Sequence, residues 1–117
     1  MERGCRFRGE ENMLTEEKLH TAVRLLVEAA KPRAIILFGS YARGDASERS
    51  DLDFVVVEEE VKNRRAETVR LLRVLEPYAI PADVFVASRP FFERWKDVPG
   101  TMLYEASREG KIVYESG

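Results

Sequence analysis

The spacing of hydrophobic residues along the chain predicts where its first helix and its first strand lie. Across residues 15–30, apolar side chains recur at intervals of three and four, which is typical of an amphipathic helix. Thr15 is a suitable N-cap for this helix, and Pro32 ends it. The next segment, Ala34–Phe38, is apolar at every position and is followed by Gly39. Such a short, bounded apolar run predicts a central strand that is buried on both faces.

The remainder of the chain predicts short strands that are separated by helices. Residues 51–57 and 82–87 are mostly apolar, and we predict that they form the second and third strands. We interpret the acidic triplet at residues 58–60 as the first turn of a helix that continues to about Leu75, because carboxylates stabilise a helix N-terminus. Two further helices and a short edge strand at residues 111–115 complete the pattern. The predicted fold is a small mixed β-sheet flanked by helices, of the α/β (α+β) class.

Length and composition limit the class of protein. With 117 residues, the chain is long enough for one small domain. Residues 1–13 show no periodicity and are expected to be a flexible leader, and residues 14–117 are expected to form the domain. The longest apolar run is five residues, whereas a membrane span needs roughly 20, and the N-terminus has no apolar signal region. We therefore expect a cytoplasmic protein without a membrane partner.

The charge balance argues against a general electrostatic affinity for nucleic acid. The chain has 19 Lys and Arg residues against 21 Asp and Glu residues, which gives a formal net charge of -2. Such a chain has no global basic field to hold a phosphate backbone, so we expect no direct nucleic-acid partner. The single cysteine, Cys5, excludes an internal disulfide and a cysteine-based zinc site.

Three aspartates occupy unusual positions in the predicted strands. Asp51 and Asp53 are two residues apart, so they point to the same face of an extended strand. Asp83 lies in the third predicted strand between apolar neighbours. If these two strands are adjacent, all three carboxylates can meet, and such hard oxygen ligands suit Mg²⁺ or Mn²⁺. A lone strand aspartate is also found as a cap, a turn contact or an edge salt bridge, and a lone Asp-x-Asp pair is a weak motif.

The pair Gly39-Ser40 is a candidate phosphate-binding turn. It directly follows the first strand, where a glycine lets a phosphate approach the backbone closely and where backbone amides and the Ser40 hydroxyl can face an anion. Taken alone, such a pair is more often a helix cap. It does not belong to a Walker A loop, because no Gly-Lys-Ser/Thr follows it. Ten residues separate Ser40 from Asp51, so the turn and the acidic motif flank a single loop.

Together these residues resemble the signature of a known superfamily, the polymerase-beta-type nucleotidyltransferases. The resemblance is carried by GSYARGD at residues 39–45 and by SDLDFVV at residues 50–56. More narrowly, the chain resembles the minimal nucleotidyltransferases (MNT), which are the antitoxin halves of MNT–HEPN toxin–antitoxin pairs. This resemblance extends from about Leu14 to Tyr114. It implies a polymerase-beta-like nucleotidyltransferase fold.

The resemblance also implies a site with two divalent metal ions. Asp51 and Asp53 would bridge two Mg²⁺ ions, with Mn²⁺ as an alternative, and Asp83 would complete the site of the catalytic ion. Two metal ions close together can stabilise both the attacking and the leaving oxygen of an in-line displacement. Asp83 would also help to deprotonate the incoming hydroxyl.

The reaction and the partner follow from the same resemblance. Gly39 and Ser40 would hold the triphosphate of ATP, and Arg43 would neutralise phosphate charge nearby. Attack at the α-phosphorus would transfer AMP and release pyrophosphate. In the antitoxin branch, the implied acceptor is a tyrosine hydroxyl of the HEPN toxin. This modification would neutralise the toxin, and the two proteins would form a type VII-like toxin–antitoxin pair.

The short length of the chain bears on the acceptor. Larger relatives carry a second domain that binds the acceptor, and we expect this chain to depend on another protein instead. Phe91, Phe92 and Trp95 share one predicted helix and are either core residues or part of a docking surface. Two alternatives stay open at this point. The protein could be a non-catalytic antitoxin that neutralises the HEPN partner by binding alone, or a nucleotidyltransferase that acts on a small molecule or an RNA end.

Overall fold

The computed structural model describes residues 10–44 and 51–116 of the chain. The first helix, α1, spans Glu10–Ala30 and therefore begins five residues before the predicted N-cap, Thr15. Residues 10–13 of the predicted leader belong to this helix, and residues 1–9 lie outside the described part of the chain.

The described residues continue as short strands and helices in the predicted order, with one additional turn of helix after the first strand. A 3-10 helix, Glu76–Tyr78, directly follows the helix Arg64–Leu75. The elements after α1 are β1 (Ala34–Phe38), α2 (Ser40–Arg43), β2 (Leu52–Glu58), α3 (Arg64–Leu75), β3 (Ala82–Ser88), α4 (Arg89–Trp95), α5 (Met102–Glu109) and β4 (Lys111–Glu115).

The four described strands form one mixed sheet in the order β3-β2-β1-β4. β1 runs antiparallel to both of its neighbours, β2 and β4, whereas β2 and β3 are parallel. The parallel pair is joined by α3, which is the usual way to connect parallel neighbours. The predicted architecture, a small mixed sheet flanked by helices, is confirmed.

The sheet is covered on both faces, so β2 contributes to two separate hydrophobic clusters. Phe54 and Val56 point to the face that is covered by α1 and α3, and both are fully buried. Val55 and Val57 point to the opposite face and pack with Leu103 and other residues of α4 and α5. Successive strand residues alternate between the faces, so a strand that is covered on both sides needs apolar residues at consecutive positions. This explains the uninterrupted run of valines in β2.

The start of α3 differs from the prediction. The acidic triplet does not open the helix, because Glu58 is the last residue of β2 and α3 begins only at Arg64. Asn63 is the N-cap, and its side-chain oxygen accepts a hydrogen bond of 2.9 Å from the Ala66 amide. Glu59 instead forms ion pairs with Arg33 and Arg89, at 3.4 Å and 2.9 Å. Glu58 and Glu59 therefore belong to the end of the sheet and its ion pairs, and they do not lie in the first turn of α3.

Glu58 meets a second acidic residue, Glu67, where β2 packs against α3. Arg70 holds Glu67 through hydrogen bonds of 2.9 Å from Nε and 2.7 Å from Nη2, and it also donates to the Ala29 carbonyl at 3.0 Å. Glu58 Oε2 is buried and has no hydrogen-bond partner among the described residues. Burial, together with the hydrogen bond to Glu67 and its negative charge, raises the pKa of Glu58 from 4.5 to about 8. Glu58 therefore keeps its proton at neutral pH.

Replacing Glu58 with glutamine should change how the stability of the protein depends on pH. A carboxyl whose pKa is raised by folding stabilises the folded state fully below pH 4.5, and this contribution is lost as the pH rises towards 8. Glutamine mimics the protonated acid at every pH. The melting temperatures of Glu58→Gln and of the wild-type protein should therefore agree near pH 4, and the variant should be more stable near pH 8.5. Allowing for solvent screening of a partly exposed carboxyl, we expect the difference in stability to be roughly 1 kcal/mol, or about 3–6 °C in Tm.

A matched control is Glu60→Gln, which removes an exposed carboxylate that borders the same groove as Glu58. Its effect on Tm should not vary between the two pH values. The titration of Glu67 would not produce the same change in Tm between the two pH values. The hydrogen bond from Arg70 lowers the pKa of Glu67, which favours the ionised form of this carboxylate at both. A Tm difference between Glu58→Gln and wild type that is the same at both pH values would contradict the assignment of a protonated Glu58.

Candidate functional site

Gly39 lies at the end of β1, against a carboxylate from the neighbouring strand. Its φ angle is +80°, a left-handed conformation that residues with a side chain rarely adopt. A Cβ atom at this position would also collide with Asp53 Oδ2 and would lie only 3.2 Å from Asp53 Cγ. Glycine is therefore required here for two independent reasons, and it allows the carboxylate of Asp53 to approach the backbone at the turn.

Asp53 and Asp83 are brought together by the register of the parallel strands. The two residues are directly paired between β2 and β3. Paired residues of neighbouring strands lie about 5 Å apart and point to the same face, which here is the face of Val55 and Phe85. Asp53 is half-buried and Asp83 is exposed. The predicted meeting of carboxylates from the second and third strands is thus present for these two residues.

Asp51 is exposed and lies immediately before β2, where the Leu52 amide donates a hydrogen bond of 3.0 Å to the Pro81 carbonyl. Within residues 10–44 and 51–116, no group of three or more His, Cys, Asp and Glu side chains is arranged to hold a metal ion. The structure therefore brings Asp53 and Asp83 together, and the metal-binding assignment of all three aspartates stays a prediction.

Ser40 and Arg43 lie on the short helix that follows Gly39. Their backbone belongs to α2, which places both residues at the end of β1 beside the aspartate pair in the sheet. Their side chains lie outside the described part of the structure. The predicted contacts of Ser40 and Arg43 with a triphosphate therefore stay predictions as well.

Two aromatic side chains lie beside the aspartate pair, and neither was among the predicted site residues. Phe38 is the direct partner of Asp53 in the antiparallel pairing of β1 with β2. Phe85 lies two residues beyond Asp83 and therefore on the same face. The guanidinium group of Arg64, at the start of α3, lies 4.7 Å from the centre of the Phe85 ring, which is a cation–π contact. Side chains alternate between the two faces along β3, so the sequence could have identified Phe85 as a neighbour of Asp83. No local feature of the sequence identifies Arg64.

The three aromatic residues of α4 do not form one exposed surface. Phe92 and Trp95 pack against the hydrophobic cluster beneath α5. Phe91 is 43% exposed, and its ring centre lies 6.2 Å from that of Trp95. The interpretation of these residues as core is therefore correct for Phe92 and Trp95, and Phe91 is the residue that faces solvent.

No helix among the described residues combines the length and the apolar character that a membrane span requires. The aspartate pair lies at one end of the sheet. Side chains of the chain itself fill the core on both faces of this sheet.

The sequence matches known proteins over most of its length. Residues 17–112 match the model of the nucleotidyltransferase domain family. A Methanocaldococcus jannaschii protein named "putative protein adenylyltransferase" is 30% identical over 107 residues, which cover 86% of this chain and 100% of that relative. Two other proteins of the same name from this organism are 34% and 50% identical over shorter stretches, which span 52% and 27% of their lengths.

Solved structures share the fold at low sequence identity. A structure described as a "putative nucleotidyltransferase from Sulfolobus solfataricus" superposes with a TM-score of 0.63 at 18% identity, covering 92% of this chain and 90% of the other. A toxin–antitoxin complex with AMP-PNP gives 0.58 at 18% identity, covering 82% and 73%. A complex of tri-AMPylated Shewanella oneidensis HEPN toxin with MNT antitoxin gives 0.54 at 17% identity, covering 86% and 72%. By its match to the family model and to a full-length relative, the chain belongs to the nucleotidyltransferase domain family.

Proposed function

We propose that this nucleotidyltransferase is the antitoxin of a type VII-like toxin–antitoxin pair, and that it transfers AMP from ATP to a tyrosine hydroxyl of a HEPN-type toxin. The observation that carries the chemistry is the pairing of Asp53 with Asp83 beside Gly39, in a chain of this family. The choice of acceptor is supported by relatives that are named protein adenylyltransferases and by the folds of MNT antitoxins bound to their toxins.

A divalent metal ion fits the donor atoms that the chain offers. Asp53 and Asp83 place carboxylate oxygens on one face of the sheet, and Mg²⁺ prefers such hard oxygen ligands. Asp51, two residues before Asp53, would be the third ligand. When bound, Mg²⁺ or Mn²⁺ would neutralise phosphate charge and lower the pKa of the acceptor hydroxyl.

The side chains of the protein would bind ATP and accept the proton. Gly39 allows the phosphates to approach the backbone, and Ser40 and Arg43 would bind them. The acceptor oxygen forms a bond to the α-phosphorus, the bond between this phosphorus and the α–β bridging oxygen breaks, and pyrophosphate leaves. Asp83 is the exposed member of the pair, so it can accept the proton of the incoming hydroxyl. The products are the AMP-modified tyrosine, pyrophosphate and the released proton.

Asp53→Asn should abolish transfer of label from α-labelled ATP to the HEPN partner. The substitution keeps the shape of the side chain and removes the charge that the site needs, so we expect a loss of roughly 100-fold or more. The measurement is the radioactivity that is covalently attached to the purified partner in the presence of Mg²⁺. Asp97→Asn is the matched control, because Asp97 is an exposed aspartate between α4 and α5.

The same experiment separates the alternative functions. Unchanged label transfer by Asp53→Asn would overturn the proposed site. Neutralisation of the toxin by wild type without any label transfer, and equally by Asp53→Asn, would show that the antitoxin acts by binding alone. Label that appears on RNA or on a small molecule, instead of on the partner protein, would replace the proposed acceptor.

Gly39→Ala should reduce label transfer far more than Gly44→Ala. The two glycines have similar positive φ angles, +80° and +87°, so alanine meets similar backbone strain at both. A Cβ at Gly39 would collide with Asp53, whereas a Cβ at Gly44 has no atom within 4 Å among the described residues. We expect a loss of about 10–100-fold for Gly39→Ala at saturating ATP, from displacement of the Asp53 carboxylate.

The folded state of both glycine variants should be checked by thermal unfolding, because backbone strain lowers stability in each. The ratio of their activities, measured well below both melting temperatures, isolates the effect of the collision. Equal activities of Gly39→Ala and Gly44→Ala would show that the approach of Asp53 to Gly39 has no part in the reaction.

A further inference from the structure

The guanidinium group of Arg64 lies over a ring that belongs to the opposite face of the sheet from its own helix. α3 packs through Leu71 and Leu75 on the face that α1 also covers. Phe85 belongs to the hydrophobic cluster on the other face, yet the Arg64 guanidinium lies 4.7 Å from the centre of its ring. Since β3 is the last strand at this end of the sheet, the Arg64 side chain passes around its edge. It thereby reaches the face that carries Asp83.

The contact with Phe85 holds the Arg64 guanidinium and leaves its charge uncompensated. Arg64 is exposed, and no carboxylate among the described residues forms an ion pair with it. Arg70, on the same helix, is by contrast held by Glu67 at 2.7 Å. A guanidinium that stacks on a ring keeps the N–H donors along its edge free, and the planar fork of these donors matches a carboxylate. Arg64 is therefore prepared to bind an acidic group.

The order of the strands places Arg64 on the acceptor side of the aspartate pair. Gly39, where the proposed function places the phosphates, follows β1 on one side of Asp53. Asp83 lies on the other side of Asp53, and the strand edge that Arg64 passes lies beyond it. In an in-line displacement, the attacking and the leaving oxygen lie on opposite sides of the phosphorus. The attacking hydroxyl therefore approaches from the β3 side when pyrophosphate leaves on the β1 side.

The distance from Arg64 to Asp83 suits a contact beside the acceptor group. Phe85 lies two residues beyond Asp83, which is about 7 Å along the strand. With the contact between Arg64 and the ring added, the guanidinium lies roughly 8–12 Å from Asp83. An extended chain covers this distance in about two to four residues. Arg64 thus lies too far away to touch the attacking oxygen and near enough to touch the segment that carries it.

We propose that Arg64, held by Phe85, binds an acidic side chain of the acceptor protein within about four residues of the tyrosine that receives AMP. This inference rests on the proposed function, because it takes the acceptor to be a protein. Arg64 is then an acceptor-binding residue that makes no contact with ATP. The contact selects which tyrosine of the acceptor reaches Asp83.

Arg64→Ala should raise the KM for the HEPN partner by roughly tenfold, because one charge-assisted contact is lost. The KM for ATP should stay within about twofold of the wild-type value. The measurement is the rate of label transfer from α-labelled ATP, with each substrate varied in turn while the other is saturating. Arg65→Ala is the matched control and should leave both KM values unchanged. Arg65 is the next residue of α3, is also exposed, and has neither an ion pair nor a ring contact among the residues that the structure describes.

A charge exchange identifies the group that Arg64 binds. Mass spectrometry of the labelled partner locates the modified tyrosine, and each acidic residue within about four positions of it is changed to arginine in turn. One of these changes should raise the KM of the partner with wild-type enzyme by roughly tenfold, and Arg64→Glu should restore it to within about threefold. If Arg64 only covered the edge of β3, its replacement would lower Tm and would give no such rescue.

The outcomes separate this inference from the proposed function. A wild-type chain that transfers no label to the HEPN partner overturns both. Normal transfer by wild type, with an unchanged KM for the partner in Arg64→Ala, overturns only the role of Arg64. A rise in the KM for ATP instead would assign Arg64 to the nucleotide. A labelled tyrosine without an acidic residue within about four positions, or a charge exchange without rescue, would exclude the acidic contact.

Discussion

The candidate site depends on the register between the parallel strands β2 and β3. The register places Asp53 opposite Asp83, yet it is stabilised by the apolar pairs that follow, such as Phe54 with Val84. A slip of one residue would move Val84 out of the core and turn Asp83 to the opposite face. Packing of the core therefore positions the two carboxylates. Asp83 is exposed to solvent, whereas Asp53 is half-buried.

The two ends of β2 place acidic residues in contrasting environments. Asp53, near the start of the strand, faces the α4 and α5 side of the sheet, and its neighbour Asp83 is open to solvent. Glu58, five residues later, lies on the side of α3, where burial and the neighbouring Glu67 raise its pKa to about 8. The alternation of the strand separates the two groups onto different faces. One strand thus carries an aspartate of the candidate site and a carboxyl that is kept neutral.

The aspartate pair lies on one side of the sheet and β4 on the other. The aspartate pair lies on β2 and β3, and the open edge lies on β4, with β1 between them. Membership of the nucleotidyltransferase domain family establishes the reaction class of the chain. Phe91 and Arg64 are accessible residues outside the aspartate pair.

The local sequence pattern determined where the strands, the glycine turn and the candidate aspartates lie. Hydrophobic periodicity and turn residues act between close neighbours in the chain, so both can be recognised from the sequence alone. Gly39, Asp53 and Asp83 could all be named from that information. The tertiary structure decided the start of α3, which the acidic triplet predicted wrongly, and the neutral state of Glu58. It also decided the register of the parallel strands and which strand is left at each edge. These features arise from contacts between distant parts of the chain, such as the hydrogen bond of Arg70 to the carbonyl of residue 29, and no local pattern encodes them.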